Sequence, residues 1–261
     1  MSVAMHLSAI IITRNEILNI EDCLRCLDFA DEIIVLDNAS TDGTPVVARG
    51  MGAKVFNTDD WPGFGKQKNR ALDYVNATWV LSLDADERVT PDLRDEILAA
   101  IKSESSSVFS FPRLSVYCGQ WMKHSGWYPD HVVRLFRCGE ARFSEDLVHE
   151  RLIVRSPIVM LKTPLRHLSF PDFESVLDKV NRYSSAGALG LKNKGREATL
   201  GQAISHGVWA FFRTYVLRRG FLDGQMGLAL AISNAEGTYY RYAKRWLMTR
   251  AEGRSEGARG A

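Results

Sequence analysis

The chain has 261 residues, and its 33 Lys/Arg against 31 Asp/Glu give a formal net charge of +2. That near-neutral balance excludes a dedicated nucleic-acid binder, which carries a strong basic excess. With 46% hydrophobic and 25% charged residues the composition is that of a globular protein, not a disordered one, and the length suits one large α/β domain with an appendage or two small domains.

In chain order, Met1 to Ser8 has no basic segment followed by an apolar one, so no secretory signal is expected. Leu7–Thr13, Glu32–Leu36, Ala53–Asn57 and Trp79–Leu83 are short apolar runs that predict four strands. Between them Ile17–Leu27, a segment capped by Thr41 or Asp42 and running to Gly50, and Lys66–Val75 have helical character, and Thr90-Pro91 starts a further helix. Strand–helix alternation with short connections implies βαβ units and a parallel sheet, which binds ligands at the carboxyl ends of its strands. Asn15, Glu16, Asp37 and Asp84 each follow an apolar strand and are expected on that rim.

Beyond residue 100, Val108–Val116, Val132–Arg137, Leu152–Val154 and Ile158–Leu161 predict mixed or antiparallel strands. Phe173–Leu191, Thr199–Arg218 and Leu222–Met248 predict helices, the last two separated by Arg219-Gly220, and Ala251–Ala261 predicts a disordered tail. No run of about 18 apolar residues is present, so no spanning helix is expected and the chain is placed in the cytoplasm. The four cysteines do not form a disulfide framework, and Cys23-x-x-Cys26 reads as a pair of reduced helix cysteines.

Three constellations carry chemistry. Asp84-Ala85-Asp86-Glu87 ends a strand, and in an extended segment Asp84 and Asp86 face one site while Glu87 points away. Two close carboxylates call for a cation, and Mg²⁺ or Mn²⁺ with substrate phosphates is the natural one. Asp37, before the polar turn Asn38–Gly43, can accept hydrogen bonds from a base or a ribose, while Ser40, Thr41 and Asp42 shape the turn. Gly63-Phe64-Gly65-Lys66-Gln67-Lys68-Asn69 leads a glycine loop into a helix with two lysines, a candidate anion site for a diphosphate. No G-x-G-x-x-G follows the first strand, so a dinucleotide site lacks its main support.

In this order, Thr13-x-Asn15-Glu16, Asp37-x-x-Ser40-x-Asp42-x-Thr44, the Gly-Lys-Asn loop and Leu83-Asp84-Ala85-Asp86-Glu87 resemble the nucleotide-sugar domain of family 2 glycosyltransferases over about residues 7–100. A shorter likeness, through Val148-His149-Glu150, His167 and Tyr215-x-x-x-x-Gly220-Phe221-x-Asp223-Gly224, points to the lipopolysaccharide-core glucosyltransferase branch. The resemblance implies a GT-A fold, an α/β architecture with a mixed, mainly parallel central sheet and a C-terminal helical extension. It implies a catalytic domain over 1–170 (nucleotide-sugar half 7–100, acceptor half 101–170), a helical region over 171–250 and a tail over 251–261. Thr13, Asn15, Glu16, Asp37, Lys66, Lys68, Asn69 and Asp84 are then the nucleotide-sugar contacts, and Asp86, with Asp84 and His167, the ligands of Mg²⁺ or Mn²⁺. Glu150, or Asp146 as the second choice, is the expected general base of an inverting transfer that needs no covalent nucleophile.

The expected donor is a UDP-sugar, UDP-glucose first among them, and the expected acceptor a membrane-linked glycolipid such as lipopolysaccharide inner core. The alternatives are transfer to a polyprenyl phosphate or a protein, a nucleotidyltransferase, and a non-catalytic nucleotide-sugar-binding module. From Ser205 onward nine Lys/Arg stand against four acids, leaving that part at +5 and the remainder at −3. Aromatic and aliphatic residues interleave with arginine there, around Trp209–Phe221 and again around Tyr239–Trp246, which suits a peripheral contact with the anionic inner face of the inner membrane.

Overall fold

A computed structural model describes residues 6–144 and 151–257, with side chains described as far as Ala251. The chain forms two compact units. Unit 1 comprises the residues up to Leu114 together with Asp130–His167, and unit 2 comprises Ser115–Pro129 with the residues from Leu168 onward.

Unit 1 is built on strands β1 (Leu7–Thr13), β2 (Glu32–Asn38), β3 (Lys54–Thr58), β4 (Trp79–Asp84), β5 (Glu87–Arg88), β6 (Val108–Tyr117), β7 (Gln120–Trp121), β8 (Asp130–Arg137), β11 (Val159–Met160) and β12 (Leu165–Phe170), although β7 and the ends of β6 and β12 belong to unit 2. They follow the order β3-β2-β1-β4-β8-β6-β12-β5, with β7 and β11 beside β6. The β1–β2, β1–β4 and β2–β3 pairings are parallel, whereas β4–β8 and β6–β8 are antiparallel, giving the mixed, mainly parallel sheet expected. β1 is buried along nearly its whole length because both sheet faces are covered, which is why its sequence is a continuous apolar run rather than an alternation. A separate hairpin pairs β9 (Ala141–Phe143) with β10 (Leu152–Val154).

The helices of unit 1 show where local chemistry overrides a simple period. α4 (Pro91–Ser103) begins as its sequence suggests: Thr90 Oγ1 accepts from the Leu93 amide, Pro91 follows, and Leu93, Ile97, Ala100 and Ile101 face inward. α1 (Ile20–Arg25) starts three residues later than Ile17, because the Ile17 amide donates to Asp42 and Asn19 closes a turn on the Glu16 carbonyl. α2 (Thr44–Gly50) is preceded not by a Thr41 or Asp42 cap but by Gly43 at φ 88°, a conformation that glycine adopts without strain. α3 (Phe64–Leu72) carries the lysine loop.

In unit 2, α5 (Phe173–Asn193) is capped by Asp172 and α6 (Leu200–Phe212) by a reciprocal Thr199–Gln202 box. α6 runs into a π-helical turn over Arg213–Leu217, then a 3₁₀ turn over Gly220–Asp223 and the long α7 (Gly224–Gly257). The buried face of α5 is Val176, Ser184 and Ala188, while Phe173, Leu177 and Tyr183 of the expected apolar stripe are exposed. Tyr117, Met122, Val176 and Leu230 form the core of this unit.

Candidate active site

The loops after β1 and β2 are tied to one another. Thr13 Oγ1 and Ser40 Oγ both donate to Asp37 Oδ1, at 2.8 and 2.6 Å, and the Ser40 amide reaches Asp37 Oδ2 at 2.9 Å. Asn15, at φ 57°, gives its amide to Ser40 Oγ and accepts the Thr41 amide on its side-chain oxygen. Asp42 accepts from the amides of Ile17 and Thr44, while the Glu16 amide reaches Thr44 Oγ1. Asp37 is only 2% exposed. In this arrangement Thr13 and Asp37 brace the rim of the sheet from within, and Asn15 ties the two loops together at the surface.

The acidic segment after β4 is a tight turn rather than an extended run. The Asp84 amide donates to Glu87 Oε2 at 3.0 Å, and Glu87, fully buried, points inward as a structural anchor rather than away. Arg134, on β8 and 6% exposed, bridges Glu87 at 2.7 Å and Asp84. Lys68 holds the other Asp84 oxygen at 2.8 Å, and Arg113 lies 3.6 Å from Glu87 and 2.6 Å from Asp130. The result is a line of alternating charge: Lys68, Asp84, Arg134, Glu87, Arg113, Asp130. Burial alone raises the Asp84 carboxyl; Arg134 and then Lys68 outweigh it and hold it far below the usual carboxylate range. For Arg134 burial disfavours the charge, and Asp84 and Glu87 more than restore it.

Glu16, Lys68, Asp84, Asp86 and His167 line one cavity of about 230 Å³ with Ile12, Phe64 and Ala85. Asp86 Oδ2 lies 3.1 Å from His167 Nε2. Burial raises the Glu16 carboxyl, the Asn19 hydrogen bond lowers it, and the negative charges of Asp86, Asp42 and Asp84 raise it further. Thr13, Asn15, Asp37, Lys66 and Asn69 are not among the lining residues. Asn69 instead clamps β9, its side-chain amide bonding both the carbonyl and the amide of Phe143, at 2.8 and 2.9 Å. Glu150 and Asp146 lie outside the described residues.

The donor set fits a divalent cation that takes few protein ligands. Asp86 offers a hard carboxylate oxygen and His167 an imidazole nitrogen on the same cavity, whereas both Asp84 oxygens are already bound by cations. Among the described residues no group of three or more His, Cys, Asp or Glu side chains gathers around one point.

Arg134, Glu87 and Phe64 are the site residues that sequence reading missed. The signal for Arg134 was a lone arginine inside the apolar run Val132–Phe136. Cys23 and Cys26 are free thiols, and burial pushes both up from the ordinary thiol range, which keeps them from reacting as thiolates.

The mixed α/β sheet with an acidic turn at its rim has the GT-A fold. The family model described as glycosyl transferase family 2 matches residues 8–160, more than half of the chain, and the chain belongs to that family. It is 29% identical over 251 residues to an uncharacterized glycosyltransferase of Rickettsia typhi, covering 91% of this chain and 86% of the relative. It is 27% identical over 257 residues to the lipopolysaccharide core biosynthesis glycosyltransferase LpsC of Rhizobium meliloti, covering 92% and 94%. Among solved structures, S. aureus TarS 1–349 aligns over 92% of both chains at 17% identity, with a TM-score of 0.48.

Proposed function

We propose that this glycosyltransferase moves a sugar from a UDP-sugar, with inversion and with Mg²⁺ or Mn²⁺, to a membrane-linked glycolipid such as lipopolysaccharide inner core. The observation that carries the metal reading is the pairing of Asp86 and His167 on one cavity beside a neutralised Asp84. The acceptor reading is supported by the likeness to LpsC, which extends over nearly the full length of both chains.

In this reading Asp86 and His167 would hold the divalent ion, and the chemistry it would supply there is charge neutralisation of the departing diphosphate. Asp84, fixed from both sides by Lys68 and Arg134, orients the ribose without changing protonation during turnover. Glu16 and the rim braced by Thr13, Asn15 and Asp37 form the nucleotide wall, and Lys66 and Lys68 form the side facing the diphosphate and sugar, while Asn69 holds β9 in place. Glu150, or Asp146 in its place, takes the proton from the acceptor hydroxyl as it attacks the anomeric carbon. The sugar–diphosphate bond breaks as the new glycosidic bond forms.

Peripheral attachment to an anionic membrane belongs to the same reading. No helix among the described residues is long and apolar enough to cross a membrane. Leu200, Ile204, Val208, Phe212 and Val216, four residues apart along α6 and its π turn, are all exposed, as are Trp209 and Leu217. An exposed apolar stripe beside Arg213, Arg218 and Arg219 suits the headgroup boundary of a bilayer. The second aromatic–basic stretch is used within unit 2: Lys244 bonds Asn181, Ser184 and Ser185, and Arg245, 5% exposed, bonds the Arg196 carbonyl.

The test is UDP release from a panel of UDP-sugars, with and without lipid acceptors, in Mg²⁺, Mn²⁺ or EDTA. Metal-dependent UDP release that requires the acceptor is expected, and pyrophosphate release or full turnover in EDTA overturns the reading. For the membrane contact, Trp209→Ser/Phe212→Ser is expected to reduce co-flotation with anionic liposomes, and unchanged flotation refutes it.

A further inference from the structure

Unit 2 contains a cavity of about 480 Å³ that the reading above does not use. Its apolar side is an aromatic cluster: Tyr117 meets Trp127 and Phe170 edge-on, and Trp127 stacks on Phe170 with ring centroids 5.7 Å apart. Lys179 lies over the Phe170 ring at 4.4 Å. Arg213, Arg218 and Arg241 complete a basic lining, and no Asp or Glu is among the described residues that line the cavity. Ser125, Ser184, Asn234 and Thr238 add short hydrogen-bonding groups.

Two glycines seat the arginines. A Cβ on Gly187 of α5 would lie 2.6 Å from Arg241 Nε, and one on Gly126 would lie 2.6 Å from Arg218 Nη1, so each arginine in its present position lies directly over a glycine and would have to shift for a larger residue. Among the described residues, none of the guanidinium groups of Arg213, Arg218 and Arg241 has a hydrogen bond or ion pair. The wall they stand against is fixed by the Gly220-Phe221-x-Asp223-Gly224 motif. The Asp223 carboxylate, 6% exposed, accepts the amides of Lys123 and His124 and the hydroxyl of Ser125, and the Ser125 amide in turn reaches the Arg218 carbonyl. A motif without catalytic chemistry of its own thus builds one side of a basic, aromatic cavity.

We infer that this cavity binds an acidic saccharide, one carrying a phosphate or carboxylate. The chemistry divides by wall. The exposed Tyr183 ring, beside the packed aromatic cluster, can take the apolar C–H face of a sugar ring, hydroxyl and amide side chains meet its hydroxyls, and guanidinium forks match phosphate or carboxylate geometry. A free inorganic anion leaves the aromatic wall unused, and a lipid headgroup presents phosphate without a sugar ring. The inference stands apart from the transfer reaction, because binding is measured without turnover.

The test is isothermal titration calorimetry of the full chain in EDTA with glucose 6-phosphate as the probe, and glucose and inorganic phosphate as controls. Saturable binding of glucose 6-phosphate is expected, with each control weaker by about tenfold or more. Arg218→Gln and Arg241→Gln, at exposed positions, should each weaken it by roughly tenfold or more. Gly187→Ala should also weaken it: alanine favours the helix, and the added Cβ displaces the Arg241 stem while leaving its charge in place. Circular dichroism and melting confirm that each variant is folded. No saturation up to about 10 mM glucose 6-phosphate, equal binding of inorganic phosphate, or unchanged binding in the three variants overturns the inference. A parallel arm measures sedimentation with phosphatidylglycerol and phosphatidylcholine vesicles. Phosphatidylglycerol binding that falls in Arg241→Gln without any glucose 6-phosphate binding assigns the cavity to a lipid headgroup and also overturns it.

Discussion

Arg134→Met removes the centre of the buried charge line and keeps most of its volume. In the wild type Arg134 lies 2.7 Å from Glu87, which has no exposure, and it also contacts Asp84. Breaking a buried pair by removing one partner costs about 3–5 kcal/mol, because the other charge is left without compensation. The lower end applies here. Asp84 keeps Lys68 at 2.8 Å, and Glu87 keeps the Asp84 amide at 3.0 Å with Arg113 at 3.6 Å. With a urea slope of about 3 kcal/mol/M, a loss of about 3 kcal/mol lowers the unfolding midpoint by roughly 1 M. The pH dependence has a definite sign. The Asp84 carboxyl is depressed in the folded state, so its stabilisation is present above the unfolded carboxylate range and is lost as pH falls toward the folded value. Without Arg134 that depression shrinks, so the variant's Asp84 protonates at a higher pH than the wild type's and the deficit narrows once the pH falls through the variant's folded value. Adding Glu87→Gln removes the uncompensated buried charge and is expected to recover part of the loss. The assay is urea unfolding of the wild type, both single variants and the double variant at several pH values. A deficit under about 1 kcal/mol at pH 7, or one that widens as the pH falls, refutes this account of the buried charges.

Asp86→Asn is expected to lower turnover by about 100-fold or more with an unchanged urea midpoint, whereas Asp84→Asn lowers both, since Asp84 carries the structural pairs; steady-state rates beside unfolding curves separate the two. Asn69→Ala leaves two buried backbone groups of Phe143 unsatisfied, so hydrogen exchange at that amide should quicken by roughly tenfold or more. Asp223→Ala removes a buried acceptor of two amides and a hydroxyl and should cost about 2–4 kcal/mol, read as a lowered melting temperature of unit 2.

The strands of unit 1 were legible because a sheet covered on both faces demands β-branched apolar runs, and Leu7–Thr13 and Trp79–Leu83 supply them. The polar residues that follow were legible as a rim for the same reason. What the pattern did not carry was the partner of each polar group. Asn15 and Asp42 have a composition suited to caps and turns, and they serve instead as cross-braces between two loops some twenty-five residues apart. An extended Asp84–Glu87 segment would point Glu87 away from the site, but the turn closed by the Asp84 amide and the pull of Arg134 and Arg113 hold its carboxylate inside. Likewise nothing within residues 118–126 says that their partner is Asp223, about a hundred residues further on.

The two aspartates after β4 illustrate how one short motif serves two purposes. A pair of carboxylates two residues apart suggests a shared ligand, and both do line the same cavity. Their surroundings divide them. Asp84 faces Lys68 and Arg134, so its charge is fully matched inside unit 1, and a cation placed there would repel both partners. Asp86 pairs with His167 and shares the cavity with Glu16, whose carboxyl is raised first by burial and further by Asp86, Asp42 and Asp84. Negative charge in excess of its local compensation therefore gathers at Asp86 and Glu16, not at Asp84. In the proposed reading a divalent ion would gain most where that excess is greatest, at Asp86, with Asp84 as the support that keeps the turn in place. The electrostatic asymmetry arises from Arg134, on a different strand, and this is why the spacing of the motif could not express it.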